Sequence, residues 1–145
     1  MNELQSNAMT DAEVDEFLGD GGTGVLALGH ENDAYAVPIS YGYDADDPAI
    51  YLRLAFAPES EKQPFVESGG LASLVVHGDG TAGWRSVVAR GTLHEVTETA
   101  LDSRVAEAIR RVDIPFVTIY DRPARELEFR IYRLSIETLT GRVEQ

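Results

Sequence analysis

Three short segments of the sequence combine residue types that suit the binding of a ligand. In the first, Ser60 and Gln63 have the spacing of a helix capping box, and Pro64 could instead begin the helix with Gln63 as its cap. Either arrangement leaves free N–H groups at a helix start, which suit an anion. Lys62, the only lysine of the chain, and Arg53 on the preceding predicted strand could hold a phosphate by point charge and by paired hydrogen bonds. Alternatively, Lys62 forms a solvated ion pair with a neighbouring glutamate.

The second segment, residues 83–91, alternates polar and apolar side chains in the manner of a strand. Trp84, Arg85 and Ser86 could present an aromatic face and hydrogen-bonding groups to a planar ligand. The alternative is that Trp84 belongs to the core or to a dimer interface. The pattern therefore predicts a strand and leaves two roles open for the tryptophan.

The third segment, residues 38–43, contains a proline inside an otherwise strand-like stretch. Because proline lacks an N–H group, Pro38 should lie at a sheet edge, at a bulge or at a rim that faces a ligand. The small residues Ser40 and Gly42 allow close approach to the backbone, which suits a flat ring laid along the strand. The alternative is a strand edge with exposed tyrosines.

Other constellations in the sequence carry less chemistry. His30, His77 and His94 are far apart and lack the spacing of metal ligands, so no metal site is expected. The sequence contains neither the glycine motif of dinucleotide-binding folds nor a phosphate-loop motif. It has no cysteine, which excludes disulfides, thiolate zinc sites and cysteine nucleophiles.

Length and charge limit the class of protein. The 145 residues fit one domain, taken here as residues 1–145. No apolar run approaches the roughly 18 residues of a membrane-spanning helix, and a polar N-terminus favours a cytoplasmic location. A formal net charge of −13 argues against a nucleic-acid partner. Eleven arginines against one lysine in such an acidic chain indicate adaptation to high salt, or else an ordinary acidic protein that favours arginine.

The elements that would position these segments are mostly strands. Thr10 and Glu13 form a capping box before an apolar helical face, and Gly19 with the Gly21-Gly22 pair should stop that helix. A change of phase in the last strand suggests a bulge. Strands are predicted at 24–29, 34–43, 49–56, 71–76, 84–96 and 126–139, a further helix at 99–112 and a third helical segment after Ser60, while 113–124 is ambiguous. About six hairpin-connected strands favour an antiparallel barrel with flanking helices, a mainly β fold.

The ordered set of segments resembles one known family. The pieces are 24–27, 35–44, 50–53, 60–62 and 84–91, with looser agreement over 130–142. In this order and spacing, they resemble the flavoproteins related to pyridoxamine 5′-phosphate oxidase, including the nitroimidazole-resistance-like branch. The resemblance implies a six-stranded antiparallel split barrel that forms a homodimer, with FMN bound at the interface in two equivalent sites.

The resemblance also assigns roles to individual residues. It implies Ser60 and Lys62 at the phosphate-binding turn, and Arg53 on the strand that faces the phosphate or the flavin. Along the isoalloxazine ring it implies Pro38, Ile39 and Ser40, and it implies Trp84, Arg85 and Ser86 as further residues lining the same cofactor.

Two departures from the family pattern restrict the expected activity. Many members of the nitroimidazole-resistance-like branch have a histidine where this chain has Arg53, and the arginine-rich substrate signature of the true oxidases is missing. The oxidation of pyridoxamine phosphate itself is therefore not expected. The leading hypothesis is an FMN-dependent oxidoreductase whose flavin carries the redox chemistry. The alternatives are a non-catalytic flavin-binding protein, the same barrel with a deazaflavin or haem, and a partner-binding barrel without a cofactor.

Overall fold

Seven strands and one helix, with a helical turn at 65–66, make up the part of the chain that the computed structural model describes. This part comprises residues 6–19, 21–46, 48–56, 65–66, 70–80, 83–96 and 128–144. In chain order the elements are β1 (Ser6–Ala8), α1 (Asp11–Leu18), β2 (Gly21–His30), β3 (Asp33–Asp44), β4 (Ala49–Phe56), β5 (Leu71–Gly80), β6 (Gly83–Glu95) and β7 (Glu128–Glu144).

The strands form one antiparallel sheet that closes on itself. Their order is β1-β7-β4-β3-β2-β5-β6, and β6 pairs in turn with β7. Six strands, β2 to β7, therefore make a ring, while β1 adds to β7 through residues 142–144. The mainly β, six-stranded antiparallel barrel expected from the sequence is confirmed. The short strand β1 was not predicted.

The hydrophobic core lies inside this ring because side chains alternate across each strand. Leu26 and Leu28 of β2 are buried, while the alternating residues Val25 and Ala27 are half-buried on the other side. Full burial of a leucine or valine side chain stabilises the fold by about 1.5–3 kcal/mol. Every ring strand places at least one side chain of 0–1% exposure in the core, namely Leu26, Tyr41, Leu52, Leu74, Val87 and Leu134. We call the side chains of β2 to β7 that point away from this core the outer wall.

Helix α1 begins after Thr10 and ends at Gly19, two boundaries that its sequence predicts. The Thr10 hydroxyl accepts a hydrogen bond from the Glu13 backbone N–H at 3.2 Å, and the Glu13 carboxylate accepts one from the Thr10 N–H at 3.0 Å. These hydrogen bonds hold the pKa of the Glu13 carboxyl below its ordinary value. The helix ends at Gly19, whose positive φ of 61° suits glycine. Gly21 and Gly22 already belong to β2, so they do not help to stop the helix.

Two inward-facing tyrosines of β3 join α1 to the barrel. The Tyr41 hydroxyl donates a hydrogen bond to the Leu18 carbonyl at 3.0 Å, and the Tyr43 hydroxyl donates one to Asp15 Oδ1 at 2.7 Å. Burial raises the pKa of Tyr41 to about 12. Burial and the Asp15 carboxylate also raise the pKa of Tyr43.

The predicted bulge exists, but it lies later in β7 than the sequence suggested. The apolar phase change at residues 131–132 reflects Ile131, which is half-buried on the outer wall. The register shifts farther along, where Arg90 pairs with Thr138 and Gly91 pairs with Ile136. Glu137 is therefore the extra residue.

The predicted bounds of the strands differ in how well they agree with the structure. Residues 49–56 form β4 as predicted. Strand β5 extends beyond the predicted bounds of 71–76 through residues 77–80, because the whole stretch pairs with β6. The predicted helix at 99–112 and the ambiguous stretch 113–124 lie outside the described residues. No helix in the described ranges is long and apolar enough to cross a membrane.

Candidate functional site

The barrel is split between β3 and β4. These strands pair only over residues 41–44 of β3 and 49–52 of β4. Beyond that point residues 33–40 of β3 pair with β2, and residues 53–56 of β4 pair with β7. Among the described strands, 33–40 thus forms an edge, and exposed Pro38 lies within it. The interpretation of this proline as an edge residue is confirmed.

Ser40 and Arg53 lie at the point where the two strands separate. Tyr41 and Leu52 form the last registered pair and point into the core. The next residues, Ser40 and Arg53, therefore belong to the outer wall on opposite sides of the split. Ser40 is 7% exposed and Arg53 is half-buried. Ile39 is 6% exposed with its side chain in the core, so it can offer only its backbone to a ligand in the split.

The three predicted residues of β6 do not face the same way. Trp84 is 42% exposed and Ser86 is half-buried, and both belong to the outer wall. Arg85 points the opposite way, and its guanidinium lies 4.9 Å from the centre of the Phe17 ring of α1. Arg85 Nε is buried and makes no hydrogen bond within the described residues. The structure therefore separates the Arg85 side chain from the other two, and the cofactor role of all three stays a prediction.

A stacked aromatic pair accompanies Trp84 on the outer wall. The rings of Trp84 and His77 lie 5.2 Å apart with an interplanar angle of 29°. Because Trp84 is exposed, its alternative assignment to the core is wrong. Their contact could not be predicted from either strand alone, because it depends on the register between β5 and β6.

An apolar band runs across the outer wall from the strand of one group of predicted site residues to the strand of the other. Pro38 pairs with Val25, Val25 with Val75, and Val75 with Val88, so four apolar outward positions follow one another across β3, β2, β5 and β6. Three strand spacings correspond to about 14 Å along the wall. Pro38 and Ser40 therefore lie at the β3 end of the band, with Arg53 across the split from them, and the Trp84 group lies near the β6 end.

A second polar group on the outer wall was missed by the sequence analysis. Arg133 Nη1 donates a hydrogen bond to the Tyr51 hydroxyl at 3.1 Å, and its guanidinium carbon lies 5.8 Å from the centre of that ring. Tyr51 precedes Arg53 by two residues on β4, so both point away from the barrel core. Tyr51 is nevertheless only 1% exposed, because it packs in a separate small cluster with Ala49 and Val96. The alternation of β4 could have indicated Tyr51, but the pairing of β4 with distant β7 could not be read from the sequence. Arg53 and Arg133 place two guanidinium groups, which can bind an anion, on neighbouring strands.

The three histidines lie apart and contact neighbouring side chains. His30 packs edge-on against Phe65 at 6.1 Å and lies 3.8 Å from a carboxylate oxygen of Glu31. His94 Nε2 is 2.9 Å from the Thr92 hydroxyl, and His77 stacks on Trp84. The predicted phosphate-binding turn with Ser60 and Lys62 lies outside the described residues.

Comparison with known proteins agrees with this architecture. The family model described as pyridoxamine 5′-phosphate oxidase matches residues 10–143. None of the curated proteins matches the sequence. Among solved structures, a FAD-binding protein from Mesorhizobium loti has a TM-score of 0.71 at 21% identity, over 97% of this chain and 98% of that chain. A 5-nitroimidazole antibiotic resistance protein from Bacteroides thetaiotaomicron has a TM-score of 0.65 at 14% identity, over 99% and 90%.

A third similar structure is the FAD and heme binding protein from Mycobacterium smegmatis, with a TM-score of 0.64 at 15% identity over 97% of this chain and 73% of that chain. At such low identities these structures show the shared fold. The family model covers nearly the whole chain, and it confirms the resemblance that the ordered segments indicated. This chain belongs to the pyridoxamine 5′-phosphate oxidase family.

Proposed function

We propose that this protein binds FMN at the split of the barrel and acts as an FMN-dependent oxidoreductase. The observation that carries the proposal is the position of Ser40 and Arg53. They come from different strands, and the fold brings them to opposite sides of the opening where β3 and β4 separate. Family membership supports the same cofactor class.

The residues present at the split fit the parts of FMN. A flat ring needs a strand that it can approach closely, and residues 33–40 offer an edge with exposed Ala36 and Pro38. The backbone groups on that edge can donate to and accept from the polar rim of such a ring. The Arg53 guanidinium can form paired hydrogen bonds to a phosphate, or can face the ring. The predicted phosphate-binding turn with Ser60 and Lys62 would supply the remaining phosphate contacts.

The contribution of the protein would be binding, orientation and electrostatics. FMN, when bound, supplies the electron and hydride transfer chemistry. The positive charge of Arg53 would stabilise negative charge that develops beside the outer wall. Covering of the neighbouring apolar band by a second copy of the chain would exclude water and strengthen the effect of that charge.

We also propose that a second copy of the chain covers the apolar band. Its side chains point outward and are half-buried or exposed: Val25, Pro38, Val75 and Val88. A continuous apolar strip on the wall of a protein with net charge −13 is typical of an interaction surface. A homodimer through this wall would enclose both flavins between the copies.

The absorption spectrum of the protein tests this proposal. Purified protein is loaded with FMN in molar salt, which screens the self-repulsion of the acidic chain, and is then desalted. We expect about one FMN per chain and the mass of a dimer by light scattering. A protein that stays colourless after loading would refute the flavin assignment, and a monomeric mass at full loading would refute the shared site. Turnover with a reductant and an electron acceptor then separates an oxidoreductase from a flavin-storing protein.

A further inference from the structure

The stacked pair of His77 and Trp84 lies on the outer wall at the β5–β6 pairing. Asp79 pairs with Trp84 and His77 pairs with Ser86, so the two aromatic residues are diagonal neighbours on adjacent strands. The imidazole lies against the indole at 5.2 Å and limits its rotation. The indole nevertheless remains 42% exposed. An indole that is already held in place loses little conformational freedom when a ligand stacks on it.

The polar residues around the pair have a defined order. His77, Ser86 and Arg142 follow one another across β5, β6 and β7, so a hydroxyl and a guanidinium lie beside the imidazole. In the adjacent row, Trp84 lies between two carboxylates, Asp79 and Glu144. The Arg142 guanidinium favours a phosphate beside His77 and Ser86. The carboxylates of Asp79 and Glu144 repel a phosphate beside Trp84, but they can accept hydrogen bonds from an exocyclic amine or from ribose hydroxyls.

From this arrangement we propose that His77 and Trp84 form a binding platform for an adenine nucleotide. Adenine would stack on the indole, and the phosphate would lie toward Ser86 and Arg142. On the same outer wall, His77 lies two strands from Ser40 and Trp84 lies three strands from it, which corresponds to roughly 10 and 14 Å across the strands. FMN ends at its phosphate, whereas FAD continues through a second phosphate to adenine. One source of this nucleotide is the adenylate half of FAD, an inference that rests on the proposed flavin site. The other source is a free adenine nucleotide.

Binding can be followed directly at the platform because Trp84 is the only tryptophan of the chain. Apoprotein is titrated separately with ADP, FMN and FAD, while the tryptophan emission and the dissociation constant of each ligand are measured. We expect ADP to change the emission in a saturable way. We expect the dissociation constant of FAD to be roughly 5- to 150-fold lower than that of FMN. This range is the gain in affinity expected when one base stacks on an aromatic side chain.

Variants separate the platform from general effects on the wall. Trp84→Leu should bring the FAD to FMN affinity ratio close to one, and Arg142→Gln should weaken ADP binding. His77 is a positioning residue, so His77→Ala should reduce the affinity ratio and His77→Phe, which retains a stacking ring, should restore it. Leu71→Ala is the matched control, since Leu71 is also an exposed outer-wall residue of β5, 61% exposed at the opposite end of the strand.

Each outcome decides between the sources or rejects the platform. Saturable binding of ADP with equal FMN and FAD affinities supports a free nucleotide and rejects the dinucleotide. Binding of ADP without any flavin binding supports the platform and refutes the proposed flavin site. Equal loss of FMN and FAD affinity in Trp84→Leu assigns Trp84 to the flavin ring and overturns the platform. Tight FMN binding with no response to ADP and no preference for FAD also overturns it.

Discussion

Gly91 provides a stringent test of the barrel closure. It lies at the bulge between β6 and β7, where an added Cβ would overlap the carbonyl oxygen of Ser135 and come within 3.2 Å of the Glu137 nitrogen. Ser135 pairs with Ala49 on one side and with Thr92 on the other, so its backbone has little freedom to move. Overpacking of a well-packed site commonly lowers the free energy of unfolding by about 1–3 kcal/mol. The loss here should lie at the upper end of that range or beyond, because the atom in the way belongs to the backbone.

We therefore expect Gly91→Ala to lower the free energy of unfolding by roughly 3 kcal/mol or more, even after the smaller entropy of the unfolded alanine chain offsets about 0.5–1 kcal/mol. The measurement is urea unfolding followed by circular dichroism in high salt, with the slope against urea checked for two-state behaviour. Gly29→Ala is the control, because its Cβ would meet only the Asp33 carbonyl oxygen at 3.9 Å. A loss below about 0.5 kcal/mol in Gly91→Ala, within the range of an ordinary surface change, would refute the close approach of β6 and β7 at the bulge.

Three further predictions concern the helix cap, alkaline pH and the flavin site. Thr10→Ala removes the hydroxyl that accepts from Glu13 and should lower the free energy of unfolding by about 1 kcal/mol in urea unfolding. Burial in the fold raises the pKa of the Tyr41 phenol from 10.0 to about 12, because the buried site disfavours the phenolate. The contribution of the neutral phenol to the free energy of unfolding is therefore complete below pH 10 and is lost as the pH rises toward 12. The free energy of unfolding should fall there by about 1.4 kcal/mol per pH unit for this group, and Tyr41→Phe should reduce that slope. Arg53→Gln should weaken FMN binding by roughly 10-fold or more in equilibrium dialysis, because a charge-assisted hydrogen bond is lost.

Each of these predictions has a control and a contrary result. Thr10→Ser keeps a hydroxyl and should retain most of the stability, and an equal loss in both variants would show that the cap hydrogen bond is not the cause. An alkaline slope that is identical in wild type and Tyr41→Phe would contradict the burial of the phenol. For the flavin site, Arg90→Gln removes an outer-wall arginine of β6, and if it weakens FMN as much as Arg53→Gln, only general charge attraction is involved.

Most of the fold could be predicted because it depends on local patterns. Alternation of apolar residues located β4 within its observed bounds, and the capping box located the start of α1. Pro38 indicated an edge, which the structure confirms, because the missing N–H group is a local property of one residue. The position of the bulge was predicted wrongly. The outward-facing apolar residue Ile131 suggested a change in the alternation pattern near 131–132, whereas the register shifts only at Glu137.

The candidate site was predicted less completely because it depends on long-range pairing. Ser40 and Arg53 meet at the split only through the register of β3 and β4. Consecutive residues of a strand face opposite ways, so the side chains of Trp84 and Arg85 could not both line one wall. The family resemblance nevertheless assigned both residues to the same cofactor. The contact of Arg133 with Tyr51 joins residues far apart in the chain, which no local pattern indicates.

The pairing of β7 has a consequence for how the protein forms during synthesis. This last described strand pairs with β6, with β4 and with β1, so it completes the ring and also holds the N-terminal strand. Until residues up to Glu144 have left the ribosome, β4 and β6 each lack a neighbour, and their unpaired edges are open to other nascent chains. The barrel therefore closes after translation of β7, and its many non-local contacts predict slow folding for a domain of this size. The formal net charge of −13 gives such unfinished chains a mutual repulsion that weakens as the salt concentration rises.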